Sequence, residues 1–295
     1  MNNKRDSLGE RMKQYEAVPK IRLIRRMPVI IRLDGKAFHT FTRGFAKPFD
    51  DVLMRTMNDT MKYLCENIQG CVIGYTQSDE ISLVLVDYKT LKSDAWFDNN
   101  VQKMCSIAAS MATQAFNRTF KKNVGDWMIK AGLRVTSDTF CKNLDFQPSE
   151  ETLRLQKRYS SQFDSALFDA RAFNLPKEEV MNYLCWRQQD ATRNSIQAAG
   201  QAQFKHQQLM RKSCNEIQEM LFTERGINWN DYTTSCKRGT CCIKKPMTIE
   251  ARDKSGNITG TCSRNKWVID TEIPIFNYDP QYINAHVMGF PIENS

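Results

Sequence analysis

Apolar residues along this chain recur with two periods, and the switches between them mark out its elements. Val29-Ile30-Ile31-Arg32-Leu33-Asp34 follows Pro28 and stops at the turn dipeptide Asp34-Gly35, so it reads as a strand that ends in a carboxylate. From Asp51 to Ile68, residues Met54, Met57, Met61, Leu64 and Ile68 recur at spacings of three and four, the mark of an amphipathic helix, which Gly70 ends. Val72 to Val86 contains two strand-length apolar runs folded back around Gln77-Ser78-Asp79-Glu80. Val101, Met104, Ala108, Met111 and Ala115 return to the helical period, with alanines that permit close packing on a sheet. Residues 119–166 are less regular and read as an insertion with some helix, before strand character returns at Phe168 to Phe173. The order β-α-β-β-α-(insert)-β predicts an α+β fold, a ferredoxin-like sheet with helices on one face. After Pro176 helical text runs to about Phe222, and short strands follow at Gly239 to Lys244 and Lys266 to Asp270 around the polar turn Asp253 to Asn257. We expect residues 1–176 to form the core and 177–295 a helical and β extension packed on it rather than an independent domain.

The two adjacent acids in the hairpin, Asp79 and Glu80, need a reason. In such a sheet the first strand and the central hairpin are neighbours, so Asp34 and Asp79 meet at one edge. Two carboxylates about 4 Å apart repel by ~4 kcal/mol at an effective dielectric near 20, and a cation between them removes that repulsion. Oxygen ligands select Mg²⁺, which keeps open positions for phosphate oxygens. Because side chains alternate along a strand, only one of Asp79 and Glu80 is expected to be a direct ligand. The plainer reading, that Asp34-Gly35 and Ser78-Asp79 are turn residues only, is equally compatible with the spacing.

Composition narrows the class. With 295 residues, 41% of them hydrophobic and 25% charged, the chain can bury one large core or two modest ones. It has no apolar run of about 18 residues, and MNNKRDSLGERMKQYE lacks the apolar stretch of a secretion signal, so we expect a cytoplasmic protein. The ten cysteines read as reduced, several lying in apolar runs. Cys236, Cys241, Cys242 and Cys262 invite a zinc reading but lack paired short ligand spacings. A formal charge of +9, with clusters at Lys20 to Arg26, Lys121-Lys122 and Lys205 to Lys212, favours a polyanionic partner, although each cluster alone is an ordinary solvated face.

Four stretches in order, RLDGKAFH (Arg32 to His39), FAKPFD (Phe45 to Asp50), QSDE (Gln77 to Glu80) and YLCWRQQD (Tyr183 to Asp190), resemble the successive motifs of the tRNA(His) guanylyltransferase family, and Arg238-Gly239-Thr240 and DTEIPIF resemble its C-terminal part. The resemblance implies a polymerase- and cyclase-like palm that adds nucleotides to the 5′ end of tRNA in the 3′-to-5′ direction. It implies that Asp34, the Gly35 carbonyl and Asp79 hold two Mg²⁺ ions, and that Asp34, Asp79 and Glu80 are the catalytic acids. Gly35, Lys36, Ala37, Phe38 and His39, with Ser78, match the nucleotide-binding segment, and Lys47 and Lys103 match triphosphate-neutralising positions; Asp50 is an acid without an assigned role. His39 also reads as an ordinary packed or capping imidazole, and Phe38 as a packing residue. Arg187, Arg193, Asn194, Lys205 and Arg211 are the RNA-contact candidates, although Trp186 and Arg187 read equally well as a helix-to-sheet contact. Expected substrates are GTP, ATP and other NTPs with a 5′-truncated tRNA, and the expected assembly is a dimer of dimers. One departure matters. Where members acting on tRNA(His) carry His-x-x-Asn, this chain has Thr192-Arg193-Asn194-Ser195. That, with an N-terminal text nearer the bacterial and archaeal branch, favours templated repair over addition of guanylate to tRNA(His) alone. A nucleotidyl cyclase and a non-catalytic RNA-binding protein remain as alternatives.

Overall fold

The computed structural model describes residues 7–133, 148–252 and 258–288, with the backbone alone described at 249–252 and 258–259. In chain order the elements are α1 (Ser7–Ala17), β1 (Val29–Gly35), α2 (Phe38–Phe41), α3 (Asp51–Asn67), β2 (Cys71–Gln77), β3 (Glu80–Leu85), α4 (Val101–Lys130), α5 (Glu150–Ser160), β4 (Phe168–Asn174), α6 (Lys177–Gln203), α7 (His206–Leu209), α8 (Cys214–Arg225), α9 (Thr234–Arg238), β5 (Thr240–Arg252), β6 (Ile258–Asp270) and α10 (Gln281–Val287). The strands form one antiparallel sheet in the order β4-β1-β3-β2-β5-β6. Its first four strands are the ferredoxin-like core expected from the sequence, and β5 pairs directly with β2, so the C-terminal part continues the same sheet.

Asp50 caps α3 by accepting from the Leu53 N–H, and Met57, Met61 and Leu64 lay its apolar stripe on the sheet. Gly70 has φ 80°, and a Cβ there would stand 2.8 Å from the Val86 carbonyl oxygen, so the turn into β2 requires glycine. Val29, Ile31 and Leu33 of β1 with Ile81, Leu83 and Leu85 of β3 are buried under α3 and α4. Ile30, Val72 and Val84 face the other way, into a second core closed by Val180 and Leu184 of α6 and Ile283 and Val287 of α10.

Helices therefore cover both faces, not one as expected. The signal was present in Val29-Ile30-Ile31, an unbroken apolar run of the kind that strands buried on both sides carry. Two further boundaries differ. The start of the irregular stretch belongs to α4, where Phe116, Phe120, Val124 and Met128 continue the buried stripe to Lys130; residues 134–147 of that stretch lie outside the described residues. The long helical text after Pro176 divides at Phe204 into α6, α7 and α8, around a small core of Ile196, Phe204, Ile217, Leu221 and Trp229. β5 and β6 are also longer than expected, 13 residues each, while their connecting turn at 253–257 lies outside the described residues. No described helix is long and apolar enough to cross a membrane.

Candidate active site

Register brings the two aspartates together. β1 ends at Asp34-Gly35, with Asp34 opposite Glu80 of β3, and the Gly35 N–H donates to the Asp79 carbonyl at 3.1 Å. Gln77 pairs with Glu80, so Ser78-Asp79 is a two-residue hairpin turn, with Ser78 at φ 50°. Beyond β1 the Lys36 N–H donates to the Leu167 carbonyl at 2.8 Å, and Ala37, at φ 54°, turns the chain into α2. A Cβ on Gly35 would stand 2.3 Å from the Phe38 ring, so glycine is what lets this loop close over the aromatic core. Phe38 itself packs on Phe41 at 4.9 Å and on Phe116 and Phe168, which makes it a packing residue.

A cavity of about 410 Å³ lies near the start of β2, away from these acids, whereas one of about 360 Å³ is lined by His39, Lys47, Ser78 and Asp79. Burial pushes the Asp79 carboxyl up, and the charge of Asp34 pushes it further, against hydrogen bonding from Ser78 and the nearby His39. Neither Asp34 nor Asp79 has a Lys or Arg ion-pair partner among the described residues. Two carboxylates in electrostatic contact without a protein cation form a donor set that suits Mg²⁺. No group of three or more His, Cys, Asp or Glu among the described residues could hold a metal, so an ion here needs carbonyl, water or substrate oxygens as well. Cys241 and Cys242 point into opposite cores.

Glu80 has a different setting from its neighbour. It is 4% exposed and held by Arg32 at 2.8 Å and Arg187 at 2.9 Å, and Arg187 also reaches Asp190 at 3.3 Å. Burial pushes the Glu80 carboxyl up against the pull of both guanidinium groups. The structure thus moves two residues away from their expected places. Glu80 is turned toward α6 and engaged by arginines rather than open to substrate, and Arg187, 4% exposed beneath Trp186 at 3.7 Å, is the helix-to-sheet contact rather than a surface RNA contact. Lys103 is also apart. It lies on the first turn of α4, beside the Arg22 end of the sheet, and Phe116, which touches Phe38, is thirteen residues further on, about 20 Å along the helix. Lys36 is exposed at the loop. Arg193 pairs with Asp190, Asn194 reaches the same carboxylate at 3.4 Å, and exposed Lys205 and Arg211 flank α7.

Asp50 now has a role. Its carboxylate accepts from the Ala46 and Leu53 N–H groups and from the Tyr159 hydroxyl at 2.7 Å, which ties the Lys47 loop to α3 and α5. Sequence reasoning missed a clamp on α2. Arg158 of α5 donates to the carbonyls of Thr40 (2.9 Å), Phe41 (3.0 Å) and Arg43, and Arg154 to that of Gly44 (2.9 Å). Nothing local in either segment signals a contact across more than a hundred residues.

Comparison with known proteins agrees with this geometry. The family model for tRNA(His) guanylyltransferase matches residues 9–176. A bacterial tRNA(His) guanylyltransferase (Thg1)-like protein, solved in complex with ATP, is 38% identical, covers 97% of this chain and 100% of its own, and superposes with a TM-score of 0.74. A Thg1-like structure in complex with GTP is 37% identical, with coverage of 96% and 100% and a TM-score of 0.70. The tRNA(His) guanylyltransferase of Schizosaccharomyces pombe is 28% identical over 254 residues, 82% of each chain. The chain therefore belongs to the tRNA(His) guanylyltransferase family of nucleotidyltransferases, which act at the 5′ end of tRNA.

Proposed function

We propose that this chain extends truncated tRNA 5′ ends in the 3′-to-5′ direction, adding the nucleotide that pairs with the opposing 3′ strand of the acceptor stem. The observation that carries this reading is the pair Asp34 and Asp79, brought together without a protein cation beside a cavity that also holds Lys47 and His39. The ATP and GTP complexes of the bacterial relatives support nucleoside triphosphates as substrates.

In this reading Asp34, Asp79 and the Gly35 carbonyl hold two Mg²⁺ ions. When bound, the metal supplies charge stabilisation to the attacking and leaving oxygens of an in-line displacement. The 3′-hydroxyl of the incoming NTP attacks the 5′-terminal α-phosphate of the activated RNA, and pyrophosphate leaves. Lys47 balances phosphate charge, and the Gly35 to His39 loop, with Ser78, offers N–H and hydroxyl donors to phosphate oxygens. Glu80, fixed by Arg32 and Arg187, positions the turn that carries Asp79. Arg193, Lys205 and Arg211 meet the RNA backbone, and the working assembly is a dimer of dimers.

Choice of base falls to pairing, because Thr192 and Arg193 stand where tRNA(His)-specific relatives begin their His-x-x-Asn group. A mismatch leaves buried polar groups unpaired at about 1–3 kcal/mol each, enough for a strong preference. The test compares tRNA(His) with another tRNA, each lacking its first nucleotide, against all four NTPs. Templated addition to both is expected. Addition of G to tRNA(His) alone, whatever base lies opposite, would refute repair, and a cyclic product without RNA extension would refute the tRNA reading.

A further inference from the structure

Gln77 ends β2, two residues before Asp79, and is 9% exposed, yet its carboxamide makes no hydrogen bond among the described residues. Gln188, similarly buried, is bonded at both ends, donating to the Pro274 carbonyl and accepting from the Phe276 N–H, each at 2.9 Å. A buried amide left unpaired in a protein that pairs its other buried glutamine is aimed at something else. Gln77 lines a side chamber of about 170 Å³ between α3, the hairpin turn, α6 and α9. The chamber shares Pro48, Asp50, Leu53 and Ser78 with the cavity beside Asp79, so the two are adjoining compartments.

Its chemistry differs from that of the main cavity. Leu53, Met54 and Phe49 give apolar walls, Gln77 and Asn194 place two carboxamides on it, and its one charged residue, Asp50, is already engaged by two N–H groups and a hydroxyl. Such a space rejects phosphate. Apolar walls accept a flat ring, and a carboxamide presents a donor and an acceptor in one plane to a base edge. At about 170 Å³ it is smaller than the roughly 300 Å³ at which whole-ligand pockets begin, so it holds part of a ligand. We propose that this chamber takes the nucleobase of the nucleotide whose phosphates occupy the cavity beside Asp79, and that Gln77 reads that base. The inference rests on the nucleotidyl-transfer reading above.

The test is calorimetric binding of the four non-hydrolysable NTPs and of inorganic tripolyphosphate, without RNA, to the parent and to Gln77→Leu, a similar-sized apolar replacement that removes the unpaired amide and is expected to melt no lower. NTP affinity should fall roughly tenfold and differences among bases should shrink, with tripolyphosphate binding unchanged. Met54→Trp, which fills the chamber, should give the same pattern. Unchanged NTP binding by both variants would overturn the proposal, and if 5′-truncated tRNA binding fell instead, the base would belong to the RNA. Absence of NTP binding by the parent would remove the underlying reading and the proposal with it.

Discussion

The two faces of the central sheet use the same strands for different work. Toward α3 and α4 the contacts are hydrocarbon and aromatic, with Leu33, Met61, Leu64, Phe116 and Phe120 fully buried and Phe38, Phe41 and Phe45 closing over them. Toward α6 the sheet is apolar away from the site, but near it Arg32 and Glu80 meet Arg187, and Ser82 meets the Tyr183 hydroxyl at 2.8 Å. Apolar packing is non-directional and fixes where elements lie; ion pairs and hydroxyl contacts have angles and fix how one turn is aimed. The first face is thus the platform and the second the aiming device for Asp79.

That division can be broken at its functional end first. Asp34→Ala or Asp79→Ala should lower nucleotide addition at least ~10³-fold at saturating Mg²⁺, because either removes a ligand from the reacting centre. Each should leave the metal-free melting temperature equal or higher, since the remaining carboxylate loses its like-charged neighbour. Turnover near the parental rate in either variant would sink the site assignment.

Breaking the platform should do the reverse. Leu64→Ala, within the α3 stripe, should cost about 2–5 kcal/mol in chemical denaturation while kcat per folded molecule stays unchanged. Arg187→Met sharpens the contrast. It should cost about 3 kcal/mol, because Glu80 keeps only Arg32 in a buried site, and unlike Leu64→Ala it should also lower kcat with little change in NTP affinity. Equal kcat in these two variants would mean that the ion pair only stabilises and does not position the turn.

Both faces were legible to different degrees. The α3 stripe follows from the spacing of Met57, Met61 and Leu64, because one helix can satisfy a period of 3.6 without reference to the rest of the chain. The α6 face was not legible, since a charged residue in a strand, such as Arg32, gives no indication of which distant carboxylate it will meet. Lys103 shows the same limit. Its basic character fitted a triphosphate, but the connection from β3 to α4 passes around the far end of the sheet and places it there.

What the sequence determined by itself was local and chemical: the order of strands and helices, the turns at Asp34-Gly35 and Ser78-Asp79, and four ordered motifs that specify the family. Those features depend on periodicity and turn geometry, which act over a few residues. Tertiary structure decided which neighbours share a role. It set Asp79 beside Asp34 and withdrew Glu80 into a pair of guanidinium groups, laid Arg158 on the carbonyls of α2, extended the sheet through β5 and β6, and left the amide of Gln77 facing an open chamber. The physical reason is that a charged or amide side chain is satisfied equally well by water, by a substrate or by a partner a hundred residues away. Only the packed chain selects among the three.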